Sequence, residues 1–346
     1  MTAPFTRKVP AAMLDRRTFI RLAGTAAAAG FSLGASSERM RIIGSLVGLP
    51  MSDPLTRRGS EAESSRTNAL IQGMQQRGWV EGVNIRYEVR SSFGGPENRA
   101  AAIKELLDLN PDVILTSSTV ETAAMMAATK TVPIIFATAN DPVGNGFVES
   151  LTRPGGNVTG FTSSTPEMGG KWLELLREAA PQIERVGALF NPKSTPRAGR
   201  FYLDSIQSEA AATGVAVTPV PVTEADAIDE AIRSHAGAPA GGMIALVDPF
   251  LVINRQAIIG AAAKYRVPMI YPFHYFIDAG GLMSYGASLE IRSADYVDLI
   301  LRGTKAGDLP VQSPRRYELL INRKVADTLG LRLPASLLAR ADEIRE

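Results

Sequence analysis

From Arg41 onward, short runs of β-branched residues alternate with longer segments of helical period, and few chain architectures accommodate that rhythm. Strand candidates cover residues 42–47, 85–89, 113–115 and 134–137, then 158–161, 186–190, 215–220, 243–247 and 269–271. Helical patterns fill the gaps. In 58–77, Ala62, Ala69, Leu70, Gly73 and Met74 share one face; in 98–109, Ala102, Leu106 and Leu109 do. Further helical segments are 170–179, 197–212, 224–234, 253–265 and 289–302. Such alternation predicts an α/β fold of parallel sheets with helices on both faces. Two series of strands predict two lobes in tandem, parted at Arg153-Pro154-Gly155-Gly156-Asn157, where turn chemistry replaces any apolar period. A closed β/α barrel is the competing architecture. The mid-chain break argues against it, as does the helical reading of the last ~30 residues.

Ahead of this pattern lies a segment of another kind. Leu14-Asp15-Arg16-Arg17-Thr18-Phe19-Ile20-Arg21 precedes an uncharged, alanine-rich stretch ending at Ala35. Paired arginines before a weakly apolar run read as a twin-arginine export signal, residues 1–35, and place the mature chain in the periplasm. The run is shorter than the ~20 strongly apolar residues of a membrane span. Removing these residues takes away Arg7, Lys8, Arg16, Arg17 and Arg21 with one acid, Asp15, so the formal charge moves from +2 to about −2. No basic face for nucleic acid is evident after processing. With no cysteine, the chain has no disulfide, thiolate nucleophile or lipid-modified anchor. About 310 residues remain, enough for two domains.

In open parallel sheets, ligands bind beyond the carboxyl ends of the strands, so the residues that follow each strand are the candidates. Met51 and Ser52 follow the first strand; Ser117, Ser118 and Thr119 follow the third; Asp141 lies just past the fourth; Asp248 follows the strand at 243–247. Hydroxyls at a helix N-terminus offer donors to a carboxylate, and an aspartate accepts from an ammonium group, so the set suits a zwitterion. Each residue is also an ordinary helix cap. Tyr271, Phe273, Tyr275, Phe276 and Tyr285 crowd into a short stretch and suit an apolar ligand face or interlobe packing. Catalytic constellations are poorly supported. His235 and His274 are the only histidines, no metal cluster or cofactor motif appears, and Gly144-Asn145-Gly146 lacks the context of a dinucleotide loop.

Several strings together carry a family resemblance. Gly78-Trp79-Val80-Glu81-Gly82-Val83-Asn84-Ile85, Pro111-Asp112-Val113-Ile114, Asp141-Pro142-Val143-Gly144, Arg153-Pro154-Gly155-Gly156-Asn157-Val158-Thr159-Gly160 and Gly280-Gly281-Leu282-Met283-Ser284-Tyr285-Gly286 resemble motifs of bacterial ABC-transporter substrate-binding proteins of tryptophan/tyrosine type. That family resembles type I periplasmic binding proteins. The resemblance implies two Rossmann-like lobes joined by a hinge of three crossings, residues 40–157 plus 284–314 and residues 158–283 plus 315–346. It implies a small organic solute, amino-acid-like and with an aromatic side chain as one option, held between the lobes and passed to a permease in the inner membrane. No cofactor, metal or nucleic acid is implied, and the receptor is expected to be a monomer. Within it, Ser117, Ser118 and Thr119 are expected to take the carboxylate, Asp141 and Asp248 the amine, and Tyr271, Phe273 and Tyr285 the apolar part. Met51 and Ser52 would close the rim. The chain departs from the family at Ser117-Ser118-Thr119, where a glycine is usual, and at Met125-Met126, where smaller residues are. The alternatives are an enzyme of racemase or sugar-processing type on the same scaffold, and a regulator's sensor domain, which conflicts with export.

Overall fold

A computed structural model describes residues 39–53, 55–56, 67–236, 241–287 and 293–346. The twin-arginine segment and Ala62 lie outside them. The first sheet is built from β1 (Arg41–Val47), β2 (Ile85–Ser91), β3 (Val113–Thr116), β4 (Ile134–Phe136) and β5 (Val158–Gly160), in the order β2-β1-β3-β4-β5 and parallel throughout. Its helices are α1 (Thr67–Gln75), α2 (Pro96–Asp108) and α3 (Thr119–Ala128). Every residue of β3 and β4 is buried, as expected of strands covered on both faces. One face packs Ile43, Val113 and Ile135 with Leu70 and Met74 of α1; the other packs Leu46, Ile114 and Phe136 with Leu106 and Met125.

The second sheet contains β6 (Arg185–Phe190), β7 (Ala216–Pro221), β8 (Gly241–Ala245), β9 (Met269–Tyr271), β10 (Met283–Ala287), β11 (Tyr317–Asn322) and β12 (Glu343–Arg345). The order is β12-β11-β10-β9-β8-β6-β7. Prolines 219 and 221 fall on β7, an edge strand, where a missing N–H costs no inner ladder bond. Helices α4 (Met168–Ala179), α5 (Arg200–Thr213), α6 (Ala227–Ala236), α7 (Pro249–Ile253), α8 (Arg255–Lys264) and α9 (Tyr275–Asp278) accompany it. Later come α10 (Ser293–Leu301), α11 (Arg323–Leu329) and α12 (Ala335–Arg340). Trp172 is wholly buried on α4, and its indole N–H donates to the Tyr285 carbonyl at 2.7 Å, joining helix to sheet.

Three expectations change. Residues 158–161 were expected to open the second series, but β5 is hydrogen-bonded to β4 and closes the first sheet. The turn-rich segment before it is a loop within the first lobe, held by the Gly155 N–H donating to the Gly307 carbonyl and the Asn157 amide to the Val132 carbonyl. The return expected at 284 comes later, because β10 pairs with β9 and β11. Only then does α10 cross back, burying Ala294, Val297 and Ile300 against Ile43 and Leu70. Finally, the C-terminal segment is not purely helical: β11 pairs antiparallel with β10 and β12 adds an edge. The chain thus passes between the sheets after β5, after β10 and between Gln312 and Tyr317. Two of these crossings are stitched side by side where the Gln312 N–H donates to the Gly160 carbonyl and the Thr162 N–H to the Gln312 carbonyl, both at 2.9 Å.

Replacing Trp172 by Ala should cost about 3–5 kcal/mol of unfolding free energy, from the cavity and the orphaned carbonyl. Equilibrium denaturation by urea measures it, and a loss under 1 kcal/mol would contradict the packing described.

Candidate functional site

Each sheet has a point where strand order reverses. In the first, the chain runs from β1 outward to β2 and then returns to β3 on the other side; in the second, it runs from β6 to β7 and returns to β8. Loops leave such a pair of strands in opposite directions and open a crevice between them. The two crevices face one another across a cavity of about 620 Å³, a size that suits a small organic molecule. It is lined from the first lobe by the ends of β1, β3 and β4, and from the second by Ser194, Asp248 and the segment from Phe273 to Tyr275.

The hydroxyl run is brought to this cavity as a set. Ser118 is the N-cap of α3, its Oγ accepting from the Val120 N–H. Ser117 Oγ accepts from the Gly48 N–H at 3.0 Å, and Thr119 Oγ1 from the Asn140 N–H at 3.3 Å. Ser117 and Thr119 therefore spend their oxygens as acceptors and keep an O–H for donation. Ser118 uses its O–H on the Glu121 carboxylate. Asn140 lines the same wall and receives the Ser163 and Ser164 N–H groups on its side-chain oxygen, tying the wall to the first crossing.

Asp248 also lines the cavity, yet its oxygens are committed to the fold. Oδ2 accepts from the Asn191 N–H and from Thr195 Oγ1; Oδ1 accepts from Ser194 Oγ and the Phe250 N–H. Burial pushes this carboxyl above the ordinary aspartate range, and the four donors pull against that shift. The arrangement caps α7 and binds the loop after β6 to the loop after β8, so the crevice of the second sheet is closed by its own chain. The expected role in holding an amine finds no open acceptor here.

The remaining expected residues divide. Met51 is at the rim, 48% exposed, and Phe273 lines the wall, stacked on Tyr275 at 5.2 Å. Ser52 is exposed beside Met51 and outside the lining. Tyr271 is in the core, stacked on Phe276 at 4.9 Å, where burial pushes its phenol up. Tyr285 stacks on Tyr317 rather than facing the cavity. The reason is register: β9 and β10 are interior strands, so side chains within them enter the layers above and below the sheet, and only those beyond the strand end reach the cleft. Asp141 caps its own turn, accepting from the Gly144 N–H, and faces Arg197 Nε of the second lobe at 3.7 Å.

Sequence reasoning did not single out Glu121, Thr138 or Asn140 as binding residues, although all three line the cavity, whereas Tyr275, named only within the aromatic cluster, does reach it. The spacing Ser118-x-x-Glu121, a capping-box pattern, was the available signal for the first. Nor did it find the pair that joins the lobes at the mouth. Arg255, at the start of α8, makes a bidentate contact with Asp53 in the loop after β1, at 2.9 and 3.0 Å, with both side chains about one-tenth exposed. Among the described residues, no group of three or more His, Asp or Glu is placed to hold a metal ion, and no helix is long and apolar enough to cross a membrane.

Comparison with known proteins gives a consistent answer. The family model for ABC transporter substrate binding proteins matches residues 60–345. A tyrosine-binding protein of Clostridioides difficile (strain R20291) is 26% identical over 266 residues, 76% of this chain and 75% of that protein. A conserved domain protein from Vibrio cholerae O1 biovar eltor str. N16961 has a TM-score of 0.78 at 26% identity, covering 89% of this chain and all of that one. The ABC domain in complex with L-Trp from Streptococcus pneumonia has a TM-score of 0.76 at 22% identity, over 88% and 99% of the two chains, and shows the shared fold.

If the Asp248 knot is structural, Asp248→Ala should lower stability by about 3 kcal/mol or more, since each buried donor left unpaired costs roughly 1–3 kcal/mol. Asp248→Asn, which keeps the shape and one acceptor oxygen, should cost less. Thermal and urea unfolding of both variants test this; equal stability to wild type would show that the network holds nothing together.

Proposed function

We propose that this chain, which belongs to the family of ABC transporter substrate binding proteins, captures an aromatic amino acid between its lobes on the outer side of a bacterial inner membrane and presents it to a permease. The family consists of binding proteins rather than catalysts, and that is the class in which the chain works. The relatives' ligands, tyrosine in one and L-Trp in another, support the ligand class. The observation that carries the reading is the make-up of the cavity. Ser117 and Thr119 offer O–H donors from the first lobe, and the stacked rings of Phe273 and Tyr275 form an apolar wall on the second. A carboxylate at one end and an aromatic side chain at the other match those two surfaces.

Such a solute touches both lobes at once, so it stabilises the conformation in which they are closed around it. The Asp53–Arg255 pair bridges the two lobes, and it adds to the same state. The three crossings serve as the hinge. The twin-arginine leader supports delivery of a folded receptor to the periplasm.

Isothermal calorimetry of the mature chain with L-tyrosine, L-tryptophan and L-phenylalanine should show saturable binding of at least one, with a ligand-dependent rise in melting temperature. Chiral chromatography of the incubated amino acid should show it unchanged. No heat and no thermal shift with all three would overturn the assignment of ligand class. Arg255→Met should weaken binding of whichever amino acid binds by about 1.5–3 kcal/mol, because a bidentate charged contact is lost from the closed state alone. Undiminished affinity would remove the pair from closure.

A further inference from the structure

We propose that Glu121 is the acceptor for the ammonium group of the bound amino acid, and that it makes the cleft selective for ligands carrying an α-amine. The inference rests on the amino-acid reading of the cavity. Glu121 lies in the first turn of α3, beside the strand-order reversal of the first sheet, and lines the cavity although it is only 3% exposed.

Its hydrogen bonding leaves capacity. Oε1 accepts from Ser92 Oγ at 2.9 Å and Oε2 accepts from Ser118 Oγ. A carboxylate offers about four lone-pair sites, so each oxygen can take one further donor. Arg99 Nε stands 4.0 Å from Oε1, close enough to attract the charge but beyond hydrogen-bond reach. The other two carboxylates that line the cavity, among the described residues, are already engaged. Asp248 holds four donors, and Glu88 is paired with Arg86 at 2.9 Å and Arg90 at 3.2 Å.

Gly48 packs against the Glu121 carboxylate without a side chain. A β-carbon there would stand 3.0 Å from Oε1 and 3.1 Å from Oε2 and Cδ, pressing on the face of the carboxylate and forcing it to shift. The absence of a side chain at this position therefore lets the carboxylate keep its place in the cavity wall. Ser117 and Thr119, the donors assigned to the ligand carboxylate, belong to the same turn as Glu121. One short segment thus presents donors and an acceptor side by side, matching the adjacent carboxylate and amine of an α-amino acid. An ammonium placed on Glu121 adds a directly hydrogen-bonded counter-charge to the more distant one of Arg99.

The test is calorimetry of wild type and Glu121→Gln with two ligand pairs: L-tyrosine against 3-(4-hydroxyphenyl)propionate, and L-tryptophan against indole-3-propionate. Each second compound lacks only the amine. Wild type should prefer the amine-bearing member by about 10-fold or more, in line with a charged hydrogen bond. Glu121→Gln should lose most of that preference, with affinity for the des-amino compound changing less than about 3-fold. Gly48→Ala, which pushes the carboxylate from its place while retaining the glutamate, should produce the same selective loss, a second test that does not depend on the folding of the first variant. A Glu121→Gln protein that keeps the wild-type preference, or loses both members of a pair equally, overturns the inference while leaving the amino-acid reading intact. Wild type that binds no member of either pair overturns that reading, and the inference with it.

Discussion

Parallel strand pairing places every strand-to-helix loop of a sheet at the same edge, and the chemistry of this molecule depends on that. In the first sheet the loops after β1, β3 and β4 emerge together, carrying Gly48, Ser117, Ser118, Thr119 and Asn140, with the N-terminus of α3 among them. In the second sheet the loops after β6, β8 and β9 do the same. Because the chain crosses between the sheets three times near one side, the two loop-bearing edges confront each other. A cavity with polar tips and apolar flanks is the outcome, and it needs no dedicated ligand-binding domain.

The two crevices are used differently. In the second lobe, Asp248 fills the space between adjacent loops with a carboxylate that satisfies two backbone N–H groups and two hydroxyls, so a polar residue at a strand end becomes part of the scaffold. In the first lobe, Glu121 receives only hydroxyl donors, and the backbone opposite is a glycine. One carboxylate is therefore saturated by its own protein, while the other keeps acceptor capacity on each oxygen. The same contrast separates the aromatic residues. Tyr271 and Tyr285, within strands, build the core and a surface stack, whereas Phe273 and Tyr275, past the strand end, reach the cleft.

Much of the fold was legible before any coordinates. Buried parallel strands are short and almost uniformly apolar, so residues 113–115 and 243–247 announced themselves. The strand β5 was recognised, but its sheet was not, because pairing partners depend on where a turn-rich loop leads rather than on the strand's own residues. The strands β10, β11 and β12 were missed: β12 is a three-residue exposed edge, and β10 and β11, though inside the sheet, interrupt their apolar residues with Ser284, Gly286, Glu318 and Asn322. In the site, the hydroxyl run stood out as three consecutive polar residues directly after a buried strand. Glu121 did not, because a glutamate in the first turn of a helix is common and most face solvent.

By itself the sequence determined the class of architecture and the edge on which binding chemistry would gather, because local periodicity and turn residues act over a few neighbours at a time. Its recurring strings further marked the family. Only the tertiary structure decided which carboxylate has spare acceptor capacity, which rings face the cleft and which charges meet across it. Those properties depend on atoms distant in the chain, as with Asp53 and Arg255, separated by 202 positions. Hydrogen-bond saturation and burial are collective quantities, and no residue's identity specifies them until its neighbours are in place.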